Sequence, residues 1–149
     1  MNTLSENAKF LRLSGAIAAA TTDVTNMTSV DMRGFTGLTL LVSAAAITSG
    51  AVTAVKLQQS DDDGSSDAYS DIEGSALSIA DDSDSKMTVL EIVNPQKRYV
   101  KPVITRLTQN AAFESVLAIQ TGPKTSPVTQ STSHVAASEL HHAPGEGTA

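Results

Sequence analysis

The sequence predicts an all-β sandwich. Seven or eight short strand-like runs recur between residues 11 and 121, at spacings of roughly 8–15 residues, with turn residues between them. No segment shows the period of an amphipathic helix. Aromatic residues make up only 3% of the chain and there is no tryptophan. A core of small aliphatic side chains buries little area per residue, so we expect the domain to gain stability by oligomerising.

The first half of the predicted sandwich contains two strands. The run LRLSGAIAAA (11–20) is the first candidate, and LTLLVSAAAI (38–47) follows after a Thr-rich segment. An alanine-rich run also suits a short helix, but β-branched neighbours and the flanking Gly37 and Gly50 favour a strand. Its predicted inward residues are Leu38, Leu40, Val42 and Ala44.

The second half contains five further runs. In AVTAVKLQQS (51–60), alternation places Thr53, Val55 and Leu57 on one face. ALSIA (76–80) and KMTVLEIV (86–93) precede KRYVKPVITRL (97–107), where Pro102 predicts an edge strand or an interruption. The last run is FESVLAIQT (113–121). Its alternation predicts Phe113, Leu117 and Ile119 inward and Glu114 and Gln120 outward.

Composition divides the chain into three parts. Residues 1–10 are predicted to form an N-terminal arm and residues 11–121 the sandwich. Residues 122–149 contain three prolines, many Ser and Thr, and almost no large apolar side chain. Such a segment cannot bury enough surface to fold alone. We expect an extended tail that is disordered or ordered by a neighbouring subunit.

Charge and apolar patterning narrow the function. The net charge is −6, whereas neutralising nucleic-acid phosphates requires a basic face. The longest apolar run is far shorter than the roughly 20 residues of a membrane span, and the N-terminus makes a poor signal peptide. The sequence has no cysteine, so disulfides and thiolate chemistry are excluded. We therefore expect a soluble protein that binds neither nucleic acid nor membrane and is made in the cytoplasm.

The segment QQSDDDGSSDAYSDIEG (58–74) contains six carboxylates among seventeen residues and no basic residue. An EF-hand alignment with Gly64 at loop position six lacks the closing carboxylate. An irregular calcium site remains an alternative, whereas runs of like charge are usually solvated turns. We predict a turn and no metal site. The residues of the alternative calcium site are Asp61, Asp63, Asp67 and Asp71.

A second acidic run, DDSDS (81–85), follows soon after, and together the two runs predict one strongly acidic end or face. The basic residues cluster later, which suggests head-to-tail pairing between copies or docking on an acidic partner. The alternative is that these cations extend over the outward face of an edge strand. The cluster consists of Lys86, Lys97, Arg98, Lys101 and Arg106.

No catalytic motif was found. The three histidines, His134, His141 and His142, all lie in the predicted tail, whereas active-site groups need rigid support. The sequence has no nucleophile elbow, phosphate loop or zinc-protease motif. We therefore predict a protein without enzymatic activity and without a cofactor.

Four segments in order resemble head decoration, or cement, proteins of tailed bacteriophages. They are SVDMRGFTGLTLLV (29–42), VKLQQSDDDGSSDAYSDIEG (55–74), KRYVKPVITR (97–106) and VLAIQTGP (116–123). The resemblance implies a jelly-roll-like β-sandwich that assembles as a homotrimer on the outer surface of the virion head. The trimers would sit at three-fold and quasi-three-fold positions and clamp neighbouring major capsid protein subunits.

Assembly of this kind needs contact residues, and the sequence offers candidates. The proposed contacts with the capsid or with other copies are Arg33, Phe35, Arg98, Tyr99 and Lys101, together with the tail. A core role for Phe35 or Tyr99 is an equally good interpretation. Two other functions stay open. One is a ring-forming virion part of the neck, tail tube or tail terminator, and the other is a calcium-dependent carbohydrate-binding or adhesion sandwich on the head.

Overall fold

The computed structural model describes residues 3–143 and 145–148. One helical turn, α1 (Leu4–Asn7), precedes the strands. The strands of the described residues are β1 (Lys9–Ser14), β2 (Ile17–Ala20), β3 (Val30–Asp31), β4 (Gly37–Ile47), β5 (Val52–Ser60), β6 (Ser70–Asp71), β7 (Leu77–Ile79), β8 (Met87–Val93), β9 (Tyr99–Leu107) and β10 (Ala111–Thr121).

The strands form two antiparallel sheets that pack face to face, which confirms the all-β sandwich. Sheet A has the order β1-β10-β4-β8, with β2 also pairing with β10. Sheet B has the order β3-β9-β5-β6, with β7 also pairing with β5. Because β1 and β2 share one neighbour, as do β6 and β7, each pair acts as one interrupted strand. When each of these pairs is counted once, each sheet has four strands, and this arrangement of eight strands in two sheets is that of a jelly roll.

The core lies between the sheets and consists mainly of Leu, Val, Ile and Ala. The predicted inward face of β4 is confirmed, because Leu38, Leu40, Val42 and Ala44 are at most 2% exposed. The inward face of β5 is confirmed as well, since Thr53, Val55 and Leu57 are buried. Over residues 38–44 of β4 and 53–57 of β5 the burial alternates with a two-residue period, which a sequence pattern reports directly.

The prediction for β10 was only partly right. Phe113 is buried, as predicted, but Leu117 is 38% exposed and Gln120 is 2% exposed. The register of β10 against β4 shifts between Phe113 and Ser115. An extra residue in a strand changes the phase of the alternation. Beyond this bulge Val116, Ala118 and Gln120 therefore point inward, and Leu117 and Ile119 point outward.

Pro102 lies inside β9 without loss of a ladder hydrogen bond. The backbone of Ile104 exchanges hydrogen bonds with Val24, on the side of β9 away from β5. Since backbone groups alternate between the two edges of a strand, the nitrogen of Pro102 faces the same side. The neighbouring strand β3 pairs there only with Tyr99 and Val100. Strand β9 itself is continuous and lies between β3 and β5, so the predicted edge or interruption holds only for the pairing on one side of the strand beside Pro102.

The termini lie together along β1. The first strand begins at Lys9 rather than at residue 11. The amide N–H of Val128 donates to the carbonyl of Glu6 over 2.7 Å. The side chain of Gln130 accepts a hydrogen bond from the Phe10 N–H and donates to the Ala8 carbonyl. Part of the segment predicted as a tail therefore covers an edge of its own domain, mostly through side chains.

Candidate interaction surface

The outward face of sheet A carries an apolar patch. Strand register aligns Leu117, Leu41 and Val89 in one row across β10, β4 and β8, and pairs Phe10 with Ile119 in the next row. Val89 is 52% exposed, and Leu117 also lies partly in solvent. We call these five residues the outer apolar face.

A depression of about 330 Å³ lies in this patch. Phe10, Leu41, Leu117 and Ile119 contribute to its lining, and Arg12 and His134 are its polar lining residues. Nδ1 of His134 lies 3.2 Å from the backbone nitrogen of Arg12. The outward face of an antiparallel sheet is normally polar. A contiguous exposed apolar patch indicates a surface that another molecule covers.

The patch continues to the edge of sheet A along β8. Met87 and Val93, on the same side of the strand as Val89, are 58% and 64% exposed. Leu90 and Ile92, on the other side, pack against the core. The inner face of β8 is therefore packed against the core, whereas its outer face is mainly apolar, with Glu91 between Val89 and Val93, and stays exposed in the single chain.

Sequence reasoning missed this surface for two reasons. Leu117 and Ile119 were placed in the core because the bulge in β10 leaves no local sequence signal. Strand β8 did carry a signal, since apolar residues on both faces are typical of a strand that is buried on both sides. That pattern in KMTVLEIV predicts a partner for the outward face.

The predicted contact residues lie elsewhere, in two groups. Arg33, Phe35 and Arg98 line a depression of about 370 Å³ at one end of the sandwich, beside Lys97 and Lys124. Arg98 is held there by two hydrogen bonds to the carboxylate of Asp31. Arg33 and Lys124 are exposed and have no carboxylate within ion-pair distance among the described residues.

The other two predicted contacts lie on β9, where both are partly buried. The guanidinium of Arg98 lies over the ring of Tyr99 at 4.8 Å, and the ammonium of Lys101 lies over the ring of Tyr69 at 4.2 Å. Phe35 is also partly buried and packs against the core. The structure thus brings Arg33, Phe35 and Arg98 together, whereas Lys101 contacts the loop that follows β5.

That loop is the acidic segment, and its carboxylates are used within the protein. Asp62 accepts hydrogen bonds from the backbone N–H groups of Ser65, Ser66 and Asp67. The hydroxyl of Ser60, which is fully buried, accepts from the Gly64 N–H and donates to the Asp67 carbonyl. Asp63 and Gly64 have positive φ angles of 61° and 82°, which suit a tight turn.

The four residues of the alternative calcium site have partners within the protein. Asp67 forms an ion pair with Lys97 at 2.5 Å, and Asp61 is 3.8 Å from the same ammonium. Asp63 accepts from the hydroxyls of Ser29 and Tyr69, and Asp71 accepts from Lys56 and Gln58. No group of three or more carboxylate or imidazole ligands is arranged to hold a metal within the residues that the structure describes.

These hydrogen bonds set the ionisation of the segment. The Lys97 ammonium lowers the pKa of Asp67, and the N–H groups of Asp67 and Ser66 lower that of Asp62. Burial, followed by the hydrogen bond to Asp63, raises the pKa of Tyr69 to about 12. At neutral pH the Asp62 and Asp67 carboxylates are therefore ionised and bonded within the segment or to Lys97, and the Tyr69 hydroxyl keeps its proton.

The two acidic runs do not form one acidic face, contrary to the sequence prediction. Ser60 at the end of β5 pairs with Tyr99, whereas Thr53 near its start pairs with Ile79, which precedes the second run. The nine residues of β5 span about 25–30 Å, so the runs lie at opposite ends. In the second run, Asp84 and Asp81 accept from the N–H groups of Ile47 and Gly50.

Acidification should loosen the first acidic segment. The lowered pKa values of Asp62, Asp63, Asp67 and Asp71 stabilise the fold above the unfolded-state value of about 3.9. That stabilisation is lost as the pH falls through the lower folded-state values. We expect the melting temperature to hold from pH 7 to about 5 and to fall below about 4.

A single variant isolates the Lys97 contribution. Lys97→Met removes the main cause of the lowered Asp67 pKa, so it should lower the melting temperature more at pH 7 than at pH 3, because the ion pair stabilises the fold less as the pH falls below the unfolded-state pKa. Lys124→Met, which removes an exposed lysine without a carboxylate partner, is the matched control. An equal difference from the wild type at both pH values would contradict the assignment.

Comparison with known protein families and with curated proteins finds no match. In the described part of the chain no helix is both long and apolar enough to cross a bilayer. The fold and surface together define a jelly-roll β-sandwich with an exposed apolar sheet face.

Proposed function

We propose that the chain is a structural protein of a tailed-phage virion. It binds the outer surface of the head as a trimer at three-fold and quasi-three-fold positions, and it cements neighbouring major capsid subunits. The observation that carries this proposal is the outer apolar face, which in the single chain leaves Val89 and Leu117 in solvent. Assembly supplies the neighbour that buries such a patch.

The location of the resembling segments supports the same function. The segments 55–74 and 97–106 contain most of β5 and of β9, two strands that pair along nine positions. The segments 29–42 and 116–123 contribute to β4 and β10, which pair in the middle of sheet A. The four blocks thus form two contiguous structural units instead of scattered surface positions.

The chemistry of the acidic segment also fits a structural role. Its aspartates are satisfied by backbone N–H groups, hydroxyls and lysines of the same chain, as a solvated strand connection requires. The basic end around Arg33 and Lys124, with Phe35 beside it, provides a second surface for an acidic partner. A capsid subunit that presents carboxylates there would complement its charge.

Capsid binding tests the proposal directly. Purified protein is mixed with expanded capsids of the major capsid protein encoded in the same genome, and co-sedimentation is measured. We expect saturable binding of the wild type and at least roughly ten-fold weaker binding of Leu117→Glu, since burying an unpaired carboxylate in an apolar contact costs several kcal/mol. Leu107→Glu, at a residue of sheet B that is 56% exposed, is the matched control. Absence of wild-type binding would overturn the proposal.

The native mass and its dependence on calcium distinguish the proposed trimer from the two other functions, a neck or tail ring and a calcium-dependent adhesion sandwich. Light scattering after size exclusion should give three copies of the 15.4 kDa chain, or a whole multiple of three, with or without a chelator. Rings with a central opening in electron micrographs would favour a neck or tail part. A fall in mass or melting temperature on chelation would favour a calcium-dependent adhesion sandwich.

A further inference from the structure

Strand β8 is the long open edge of the described molecule. It has seven residues, pairs on one side with β4, and has no strand on its other side within residues 3–143 and 145–148. Its register with β4 runs without a bulge from Gly37–Val93 to Ser43–Met87. It contains no proline, and its only charged residue is Glu91. Proteins normally protect such edges with charges, prolines, bulges or a cover.

The other edges of this sandwich are protected. The free side of β1 is covered by Gln130 and by His134, which contact the backbone of residues 8–12. In sheet B the edge strands β3, β6 and β7 have only two, two and three residues. Short strands and a covering segment are two of the usual devices against edge-to-edge association. Their absence at β8 singles out this edge as a site of pairing.

The backbone of β8 is oriented for another strand. Hydrogen bonds from Ala44 to the Lys86 carbonyl and from Asn94 to the Thr36 carbonyl show that even-numbered residues face β4. By alternation, the N–H and C=O groups of the odd-numbered residues face the open edge. These residues are Met87, Val89, Glu91 and Val93.

We propose that β8 pairs antiparallel with β8 of a second copy about a two-fold axis through Leu90. This register overlaps all seven residues and places Met87 opposite Val93 and Val89 opposite Glu91 of the second copy. Both members of each of these pairs direct their backbone groups to the open edge, so each pair exchanges two hydrogen bonds. The contact is isologous and closed, as a two-fold interface requires.

Charge favours the antiparallel arrangement over the parallel one. Glu91 is the only charged residue of β8. In the antiparallel register it lies opposite Val89 of the second copy, whereas in-register parallel pairing would bring the two Glu91 carboxylates together on one face. Like charges that face each other across a strand pair are destabilising.

The contact goes beyond the proposed function, because it joins copies by a strand edge and requires no capsid. Trimers on adjacent three-fold positions of a shell are related by two-fold axes, so the same contact would link neighbouring trimers. It also extends the outer apolar face across two copies, since Val89 belongs to both surfaces. A continuous sheet across the axis would form wherever two copies meet.

A pair of charge variants tests the proposed register. The two-fold axis places residue 89 of each copy opposite Glu91 of the other. Val89→Glu therefore creates two repulsive carboxylate pairs, whereas Val89→Lys creates two ion pairs. We expect the wild type and Val89→Lys to have twice the native mass of Val89→Glu in light scattering. A protein concentration of about 50 µM suits this measurement, because it exceeds a micromolar dissociation constant of the contact. Adding Glu91→Lys to Val89→Glu should restore the doubled mass.

Val89 is half exposed, so these variants should keep the fold, and circular dichroism checks this. Val89→Pro is a second variant, because it removes an N–H that the single chain does not use, and it should also halve the mass. Leu107→Glu on sheet B is the control that should keep it. Equal masses of wild type and Val89→Glu, or equal loss in the glutamate and lysine variants, would overturn the proposal.

The native masses of the wild type and of Val89→Glu also test the β8 contact separately from the proposed trimer. A doubled trimer would fall from six copies to three in Val89→Glu, and a doubled monomer would fall from two copies to one. The ratio of the two masses tests the β8 contact, and the smaller mass tests the trimer. Failure of one leaves the result for the other intact.

Discussion

Replacing Phe113 with alanine is expected to lower the free energy of unfolding by about 3–5 kcal/mol. Phe113 is 1% exposed and is the largest of the fully buried side chains. It packs in the core between the sheets, next to the bulge of β10. Removing the ring loses its burial and leaves a cavity that a tightly packed core fills only partly. Denaturant unfolding monitored by circular dichroism would measure the change.

Leu117→Ala is the comparison that makes this result specific. A regular alternation from Phe113 would put Leu117 in the core, and its truncation would then cost about 2–5 kcal/mol. The structure turns Leu117 outward, where we expect a loss below about 1 kcal/mol in the dissociated chain. Equal losses for the two variants would show that β10 continues without a phase change. The measurement should be made at low protein concentration, since Leu117 also belongs to the proposed contact surface.

Arg106→Met is expected to destabilise the protein by about 3–5 kcal/mol. Arg106 is 4% exposed, and its guanidinium donates to the carbonyls of Thr22, Ala18 and Ala111. Methionine fills a similar space but leaves these carbonyls without donors, and each buried unsatisfied group costs about 1–3 kcal/mol. Hydrogen exchange should show the largest loss of protection in residues 17–24, which the guanidinium holds against β9 and β10.

Arg33→Met is the control for this prediction. Arg33 is exposed, so its replacement should change stability by less than about 0.5 kcal/mol. If Arg106→Met behaved in the same way, the three carbonyl contacts would carry no net stability. Burial lowers the pKa of the Arg106 guanidinium, and nearby Asp23 opposes that effect. The group therefore remains charged, and its role is to satisfy backbone carbonyls and not to bind a partner.

Arg106 also shows how the basic cluster divides between tasks. The sequence grouped it with Lys86, Lys97, Arg98 and Lys101 in one basic cluster, predicted either to pair with an acidic surface or to extend over the outward face of an edge strand. In the structure Lys97 and Arg98 pair with Asp67 and Asp31, whereas Arg106 turns into the interior. At the end of the sandwich where Arg98 lies, the exposed cations without an ion pair are instead Arg33 and Lys124, which come from a loop and from the C-terminal segment. Spacing along one strand could not predict that combination.

The sequence by itself determined the class of fold and most of its core. Two-residue alternation in β4 and β5 identified their buried residues, because alternation is a local property of an extended chain. Pro102 marked a gap in the pairing along one side of β9, although the strand itself continues, since proline lacks a donor wherever it lies. The acidic segment was correctly predicted as a connection after β5, because consecutive aspartates and a glycine favour turns.

The tertiary structure alone decided which faces remain open. One extra residue in β10 moved Leu117 and Ile119 to the outside, and that shift depends on pairing with β4 and not on the residues themselves. Likewise, only the strand order shows that β8 is an edge of sheet A. Only the tertiary contacts show that Gln130 and His134 cover the free side of β1. Solvent exposure of an apolar strand depends on its neighbours in space, so the surface proposed for assembly became visible only when the two sheets were in place.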